Sequence, residues 1–263
     1  RGLQHAGFTS TIVPELIQYH LFEADRLRAV LKLRESIGQL LSYTDEDSGR
    51  RAQEQFAKHH ENLAVADVIH VFVSCPTDDR PESLERLQND LALLMPNLRA
   101  VLACRPPGRQ AAVAVVVSKP DPAFPTADDA RAALTDERLR GMLHRLVLLL
   151  EGSDRVGLAA VFVVSAFGYG KARRLDGGGA AGGAPAKGFS LLSQGEAEWV
   201  LKEGEAPAPH NLTALVWWTL MAGLALKPAD RRGPELARTA KLLLDDIKAT
   251  GGWYLPLNCR PVG

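Results

Sequence analysis

The chain has 263 residues, 46% of them hydrophobic and 24% charged, with 31 Lys+Arg balanced by 31 Asp+Glu. That length and apolar content suit one large domain with a substantial core. The absence of a basic excess excludes nucleic acid or an anionic membrane surface as a bulk electrostatic partner. The three cysteines, Cys75, Cys104 and Cys259, are scattered and show no metal-ligand spacing, and there is no secretory signal pattern, so a reducing, cytoplasmic setting is expected.

In chain order, "RAVLKLRES" (28–36) and "QLLSYTDEDSG" (39–49) alternate apolar and polar residues and predict a hairpin. The polar stretch 50–67 favours helix, and its His59-His60 pair reads as solvent-facing rather than metal-binding. "VIHVFVSC" (68–75) predicts a strand. "PESLERLQNDLALLM" (81–95) predicts a helix with Leu84, Leu87, Leu91 and Leu94 on one face, ended by Pro96. "QAAVAVVVSKPD" (110–121) is a second strand. "TDERLRGMLHRLVLLLEG" (135–152) reads as a helix N-capped by Thr135, and "VGLAAVFVVSAFG" (156–168) as a third strand.

Residues 171–188 are Gly- and Ala-rich and are expected to form a loop without fixed structure, with Lys171, Arg173, Arg174 and Lys187 as its charged ends. "HNLTALVWWTLMAGLALKP" (210–228) predicts a buried apolar helix capped by Asn211, in which at most one of Trp217 and Trp218 faces the core. "PELARTAKLLLDDIKAT" (234–250) predicts a final amphipathic helix. The strands from 68 onward are near-continuous apolar runs alternating with helices. The expected fold is therefore α/β, a mostly parallel sheet flanked by helices, with an antiparallel edge strand supplied by the early hairpin. The expected organisation is a domain over 1–250, with a flexible insertion at 171–210 and a tail at 251–263.

In such sheets ligands bind at the carboxyl ends of the strands. Polar residues there are Ser74, Asp78 and Asp79 after the first strand, Ser118, Lys119 and Asp121 after the second, and Ser165 after the third. Cys75, also at this edge, reads as a buried inert thiol.

"SKPD" (118–121), followed by "SAFG" (165–168), resembles the guanine-recognition pair of P-loop GTPases, Asn/Thr-Lys-x-Asp and Ser-Ala-x. The chain is thus similar to the translation-factor-like class, and to GTPase domains of bacterial conflict and signalling proteins. The resemblance implies guanine binding by Ser118, Lys119, Asp121, Ser165 and Ala166. Asp121 would select the base, Lys119 would lie over it, and Ser165 with Ala166 would close the pocket. It also implies a phosphate loop. "GLQHAGFTS" offers Gly2, Gly7, Thr9 and Ser10 at the matching positions, but Phe8 stands where the lysine belongs. Either this loop is degenerate or the true loop precedes Arg1. Thr9, Asp45 and Asp47 are the corresponding Mg²⁺ candidates, the last two flanking Glu46 in "TDEDSG" (44–49). The implied function is a guanine-nucleotide-binding regulatory domain with slow or absent hydrolysis, taking GTP or GDP, Mg²⁺ if nucleotide binds, and protein partners. The alternative is a pseudo-GTPase interaction scaffold that binds no nucleotide.

Overall fold

The computed structural model describes residues 16–23, 26–34, 63–75, 81–121, 123–135, 138–175, 198–227, 234–249 and 251–259. The chain divides into two compact units, Arg1–Val65 and Ala66–Gly263. In the first, β1 (Leu16–Glu23) and β2 (Arg26–Arg34) pair antiparallel from Leu16↔Arg34 to Glu23↔Arg26. The segment read as the first strand of the expected hairpin pairs with the residues before it, because a two-residue connection closes locally at low entropic cost. Residues 39–49 lie outside the described residues.

The second unit is α/β. β3 (Val68–Ser74), β4 (Ala111–Ser118) and β5 (Val156–Val164) run parallel, and β8 (Leu255–Pro256) adds antiparallel to β5, giving the order β3-β4-β5-β8. The antiparallel edge strand thus comes from the C-terminal segment expected to be a tail, not from the early hairpin. A separate two-stranded sheet pairs β6 (Ala172–Leu175) with β7 (Glu198–Leu201). The start of the segment expected to be a structureless loop is therefore a strand, and residues 176–197 lie outside the described residues.

Helix α1 spans Pro81–Ala103 and runs through Pro96 rather than stopping there. Leu98, Val101 and Leu102 are buried beyond it. Burying each is worth about 1.5–3 kcal/mol, which outweighs the roughly 3 kcal/mol cost of an internal proline. The helix expected at 135–152 is two helices, α2 (Ala127–Thr135) and α3 (Arg138–Glu151). Thr135 ends the first instead of capping the second, its hydroxyl donating back to the Ala132 carbonyl at 2.8 Å. The start of α2 is fixed by a capping box: Asp129 N–H donates to Thr126 Oγ1 at 3.1 Å, while Thr126 N–H donates to Asp129 Oδ2 at 3.1 Å. Helices α4 (Leu212–Ala225) and α5 (Pro234–Ala249) follow. No described helix is long and apolar enough to cross a membrane.

Every residue of β4 from Ala111 to Val117 is buried, as a central parallel strand requires. Ala112, Ala114 and Val116 share one face with Ala160 and Phe162, and α4 and α5 cover it through Leu215, Trp218, Ala222 and Ile247. Small side chains on the sheet leave room for Trp218. Phe162 meets Trp218 edge-on at 5.6 Å and stacks on Tyr254 at 5.4 Å. Trp218 is the core tryptophan, and Trp217 packs partly buried against the same cluster. At the other end of the strands Arg105 is buried and donates to the Ala66, Gln110 and Arg109 carbonyls, so it caps backbone groups there. Burial first, then Arg109, pushes its pKa down to about 10, still cationic at neutral pH.

His70 on β3 lies under α4. Thr219 Oγ1 donates to the Leu215 carbonyl at 2.7 Å, so it accepts from His70 Nε2 at 2.8 Å. Burial lowers the His70 pKa. The unfolded chain therefore takes up the proton first, near pH 6.5. The stability that neutral His70 contributes is fully present above that pH and is lost as pH falls towards the native pKa. Thermal melts between pH 7.5 and 5 are expected to show Tm falling with pH. His70→Gln, which keeps a donor but does not titrate, is expected to flatten the slope. An identical slope in both proteins contradicts this assignment.

Candidate functional site

β4 ends in a constrained turn. Ser118 is bound to the neighbouring strand: its hydroxyl donates to the Val73 carbonyl at 3.3 Å, and its own carbonyl accepts from Cys75 N–H at 2.8 Å. Lys119, exposed, follows with φ at 55°. A left-handed backbone costs a lysine about 1–2 kcal/mol, and a following proline adds its own restriction. The cost is borne where the chain must leave the sheet abruptly. Pro120 is buried, and its carbonyl accepts from Ala123 N–H and Phe124 N–H, at 2.9 and 3.0 Å. This closes the turn around Asp121.

The end of β5 holds the aspartate. Ser165 is fully buried; its hydroxyl donates to Asp121 Oδ1 and accepts from Gly168 N–H at 2.7 Å. Ser165 therefore holds Asp121 from inside the protein. The turn after it is pinned by a returning segment: Ser165 and His210 form an antiparallel bridge, and Ala208 N–H donates to the Phe167 carbonyl at 2.8 Å. Gly168, at φ 97°, is required here, since a Cβ would lie 2.6 Å from the Ala208 carbonyl oxygen. Lys171 is engaged with Glu205 at 3.2 Å and with the Ala206 carbonyl. It fastens this segment.

The structure thus brings Ser118, Lys119, Asp121, Ser165 and Ala166 to adjacent strand ends. Gly2, Gly7, Thr9, Ser10, Asp45 and Asp47, and also His59, His60, Asp78 and Asp79, lie outside the described residues. Among the described residues no group of three or more His, Cys, Asp or Glu side chains could hold a metal ion.

No family model, curated protein or solved structure matches this chain.

Two residues at this edge were not singled out from sequence. Tyr169 meets His210 edge-on at 5.4 Å. Tyr169 Oη and His210 Nδ1 are both buried without a hydrogen-bond partner. Burial raises the phenol pKa above its usual range, reinforced by Asp121 and then Cys75, so the hydroxyl keeps its proton. Burial lowers the His210 pKa, with Asp128 opposing. The sequence signal was an aromatic between two glycines, "GYG" (168–170), directly after the SAFG motif. A separate surface depression lined by Arg99, Ser153 and Arg155 includes none of these residues.

Chemically, the edge offers an oriented carboxylate acceptor, a flexible cation beside it, and a protonated phenol. That set can bind a flat polar ring carrying N–H donors.

Proposed function

We propose that this chain is a guanine-nucleotide-binding, GTPase-like regulatory domain with slow or absent hydrolysis. The observation that carries the reading is the hydrogen bond from buried Ser165 to Asp121, which joins the two motifs at neighbouring strand ends and fixes one carboxylate oxygen. The carboxylate then accepts from the guanine N1–H and exocyclic N2–H₂, its second oxygen facing the amino group. Adenine has no such pair of donors. Lys119 lies along the base with its ammonium in water. The phosphate end is assigned to Gly2, Gly7, Thr9 and Ser10. Mg²⁺, if nucleotide binds, is assigned to Thr9, Asp45 and Asp47.

Phe8 cannot supply the point charge that a phosphate-loop lysine places against the β- and γ-oxygens. Weak binding and slow turnover follow. Phe8 also favours the second reading, a pseudo-GTPase scaffold for protein partners. The free cysteines Cys75, Cys104 and Cys259 fit a cytoplasmic setting. Calorimetric titration with GDP, GTP and ATP, each with and without Mg²⁺, tests the reading. Binding of GDP or GTP in clear preference to ATP is expected. Equal affinity for ATP refutes guanine selectivity, and no binding of any of the three leaves the scaffold.

A further inference from the structure

Tyr169 and Asp121 are neighbours that do not bond each other. Asp121 is close enough for its charge to act on the Tyr169 phenol, yet Asp121 Oδ1 receives its proton from Ser165 and the Tyr169 hydroxyl has no partner at all. A buried hydroxyl without a partner is costly to maintain, and a carboxylate is the acceptor it would ordinarily take. The ring that carries it lies against neighbours that are themselves fixed. His210 backs the ring at 5.4 Å, with the planes at 70°. The bridge from Ser165 holds His210, and Gly168 N–H is bound to the same Ser165 hydroxyl that holds Asp121. The result is an acceptor and a donor at one strand edge, each tied through Ser165 and neither bonded to the other.

Such a pair matches a ligand edge on which a ring N–H adjoins a ring carbonyl. We propose that Tyr169 is a specificity-determining residue of the base site: its hydroxyl donates to the ring carbonyl of a bound oxopurine whose adjacent N–H is taken by Asp121. The inference rests on the guanine-nucleotide reading and extends it to a ligand class, purines with a lactam edge. Guanine and hypoxanthine have that edge; adenine, with an amino group and an unprotonated ring nitrogen in those places, does not. Tyr169 as a whole is only partly buried while its hydroxyl is buried, so the proposal requires the side chain to turn its hydroxyl towards the ligand.

The test is Tyr169→Phe, which keeps the ring against His210 and removes only the hydroxyl. GDP, IDP and ADP are titrated into both proteins, and melting temperatures are compared. Phenylalanine is expected to weaken GDP and IDP alike by about five- to tenfold, the effect of one lost hydrogen bond, while Tm stays equal or rises because an unpartnered buried group has gone. Unchanged GDP and IDP affinities, with wild-type binding intact, overturn the role of Tyr169 and leave the base-site reading standing. A clear fall in Tm also overturns it, since the hydroxyl then serves folding. Failure of the wild-type protein to bind either GDP or IDP overturns both.

Discussion

Replacing Asp121 with alanine is expected to lower GDP affinity by at least about a hundredfold, since each hydrogen bond to a charged acceptor contributes about 1.5–3 kcal/mol and guanine offers two. The effect has a distinctive chemical signature. Asp121→Asn keeps an Oδ1 acceptor for the Ser165 hydroxyl but turns the ligand-facing oxygen into an N–H donor. That group repels the guanine amino group and suits the carbonyl of xanthine at the same ring position. Preference is therefore expected to move from GDP towards XDP. Ser165 supplies an internal control. In Asp121→Ala the buried Ser165 hydroxyl loses its acceptor, so a stability loss of about 1–3 kcal/mol accompanies the binding loss, whereas Asp121→Asn retains most of the stability. Calorimetry with GDP and XDP, alongside thermal melts, separates the two effects. GDP binding that is unaffected in Asp121→Ala removes Asp121 from the site.

The largest stability effect is expected at Asn211. Sequence suggests a helix cap, but this side chain makes no capping hydrogen bond, and its backbone is left-handed at φ 64°. Instead Nδ2 donates to the Val163 carbonyl at 3.1 Å and to the Trp253 carbonyl at 2.7 Å, and Oδ1 accepts from Trp253 N–H at 3.0 Å. One buried amide thus joins the end of β5, the start of α4 and the C-terminal segment that supplies Tyr254 and β8. Asn211→Ala leaves these groups without partners and places an alanine in the left-handed region. A loss of about 3–5 kcal/mol is expected from unsatisfied groups at about 1–3 kcal/mol each plus the backbone cost. Asn211→Gly relieves only the backbone cost and falls in between. Asn211→Asp, nearly isosteric, sets a carboxylate oxygen against two carbonyls and is expected to be no better than alanine. Urea unfolding ranks the series; a wild-type midpoint for Asn211→Ala contradicts the strut.

Both residues lie where local sequence and long-range structure disagree in instructive ways. Asp121 was legible because a polar residue after a run such as Val113–Val117 must emerge at a strand end, whatever the strand pairs with. Ser165 was legible as a position but not in its role. It was expected to close the pocket; in the structure it is fully buried and hydrogen-bonded to Asp121. Tyr169 was missed because the local pattern, a tyrosine between two glycines, does not show that its hydroxyl lacks a partner; that is a property of its surroundings. The start of α2 was a different kind of miss. Thr126 and Asp129 form a capping box at the usual spacing, so the signal was present, overshadowed by the stronger pattern at 135–152.

What the sequence by itself determined is the parallel core: β3, β4 and β5 as apolar runs, α4 as a buried helix, and the polar residues that follow each strand. These follow from burial and chain geometry, which act over a few residues. Tertiary structure alone decided how far α1 continues past Pro96, since Leu98, Val101 and Leu102 gain their burial from distant neighbours. It also decided which segment pairs with Ala172–Leu175, and that Leu255–Pro256 closes the sheet beside β5. Strand pairing is a contract between segments far apart in the chain, and a short strand has too little local pattern to announce its partner. The same holds for Asn211. Its three hydrogen bonds exist only once β5 and the C-terminal segment have reached it, and they override the capping role that its place before a helix suggests.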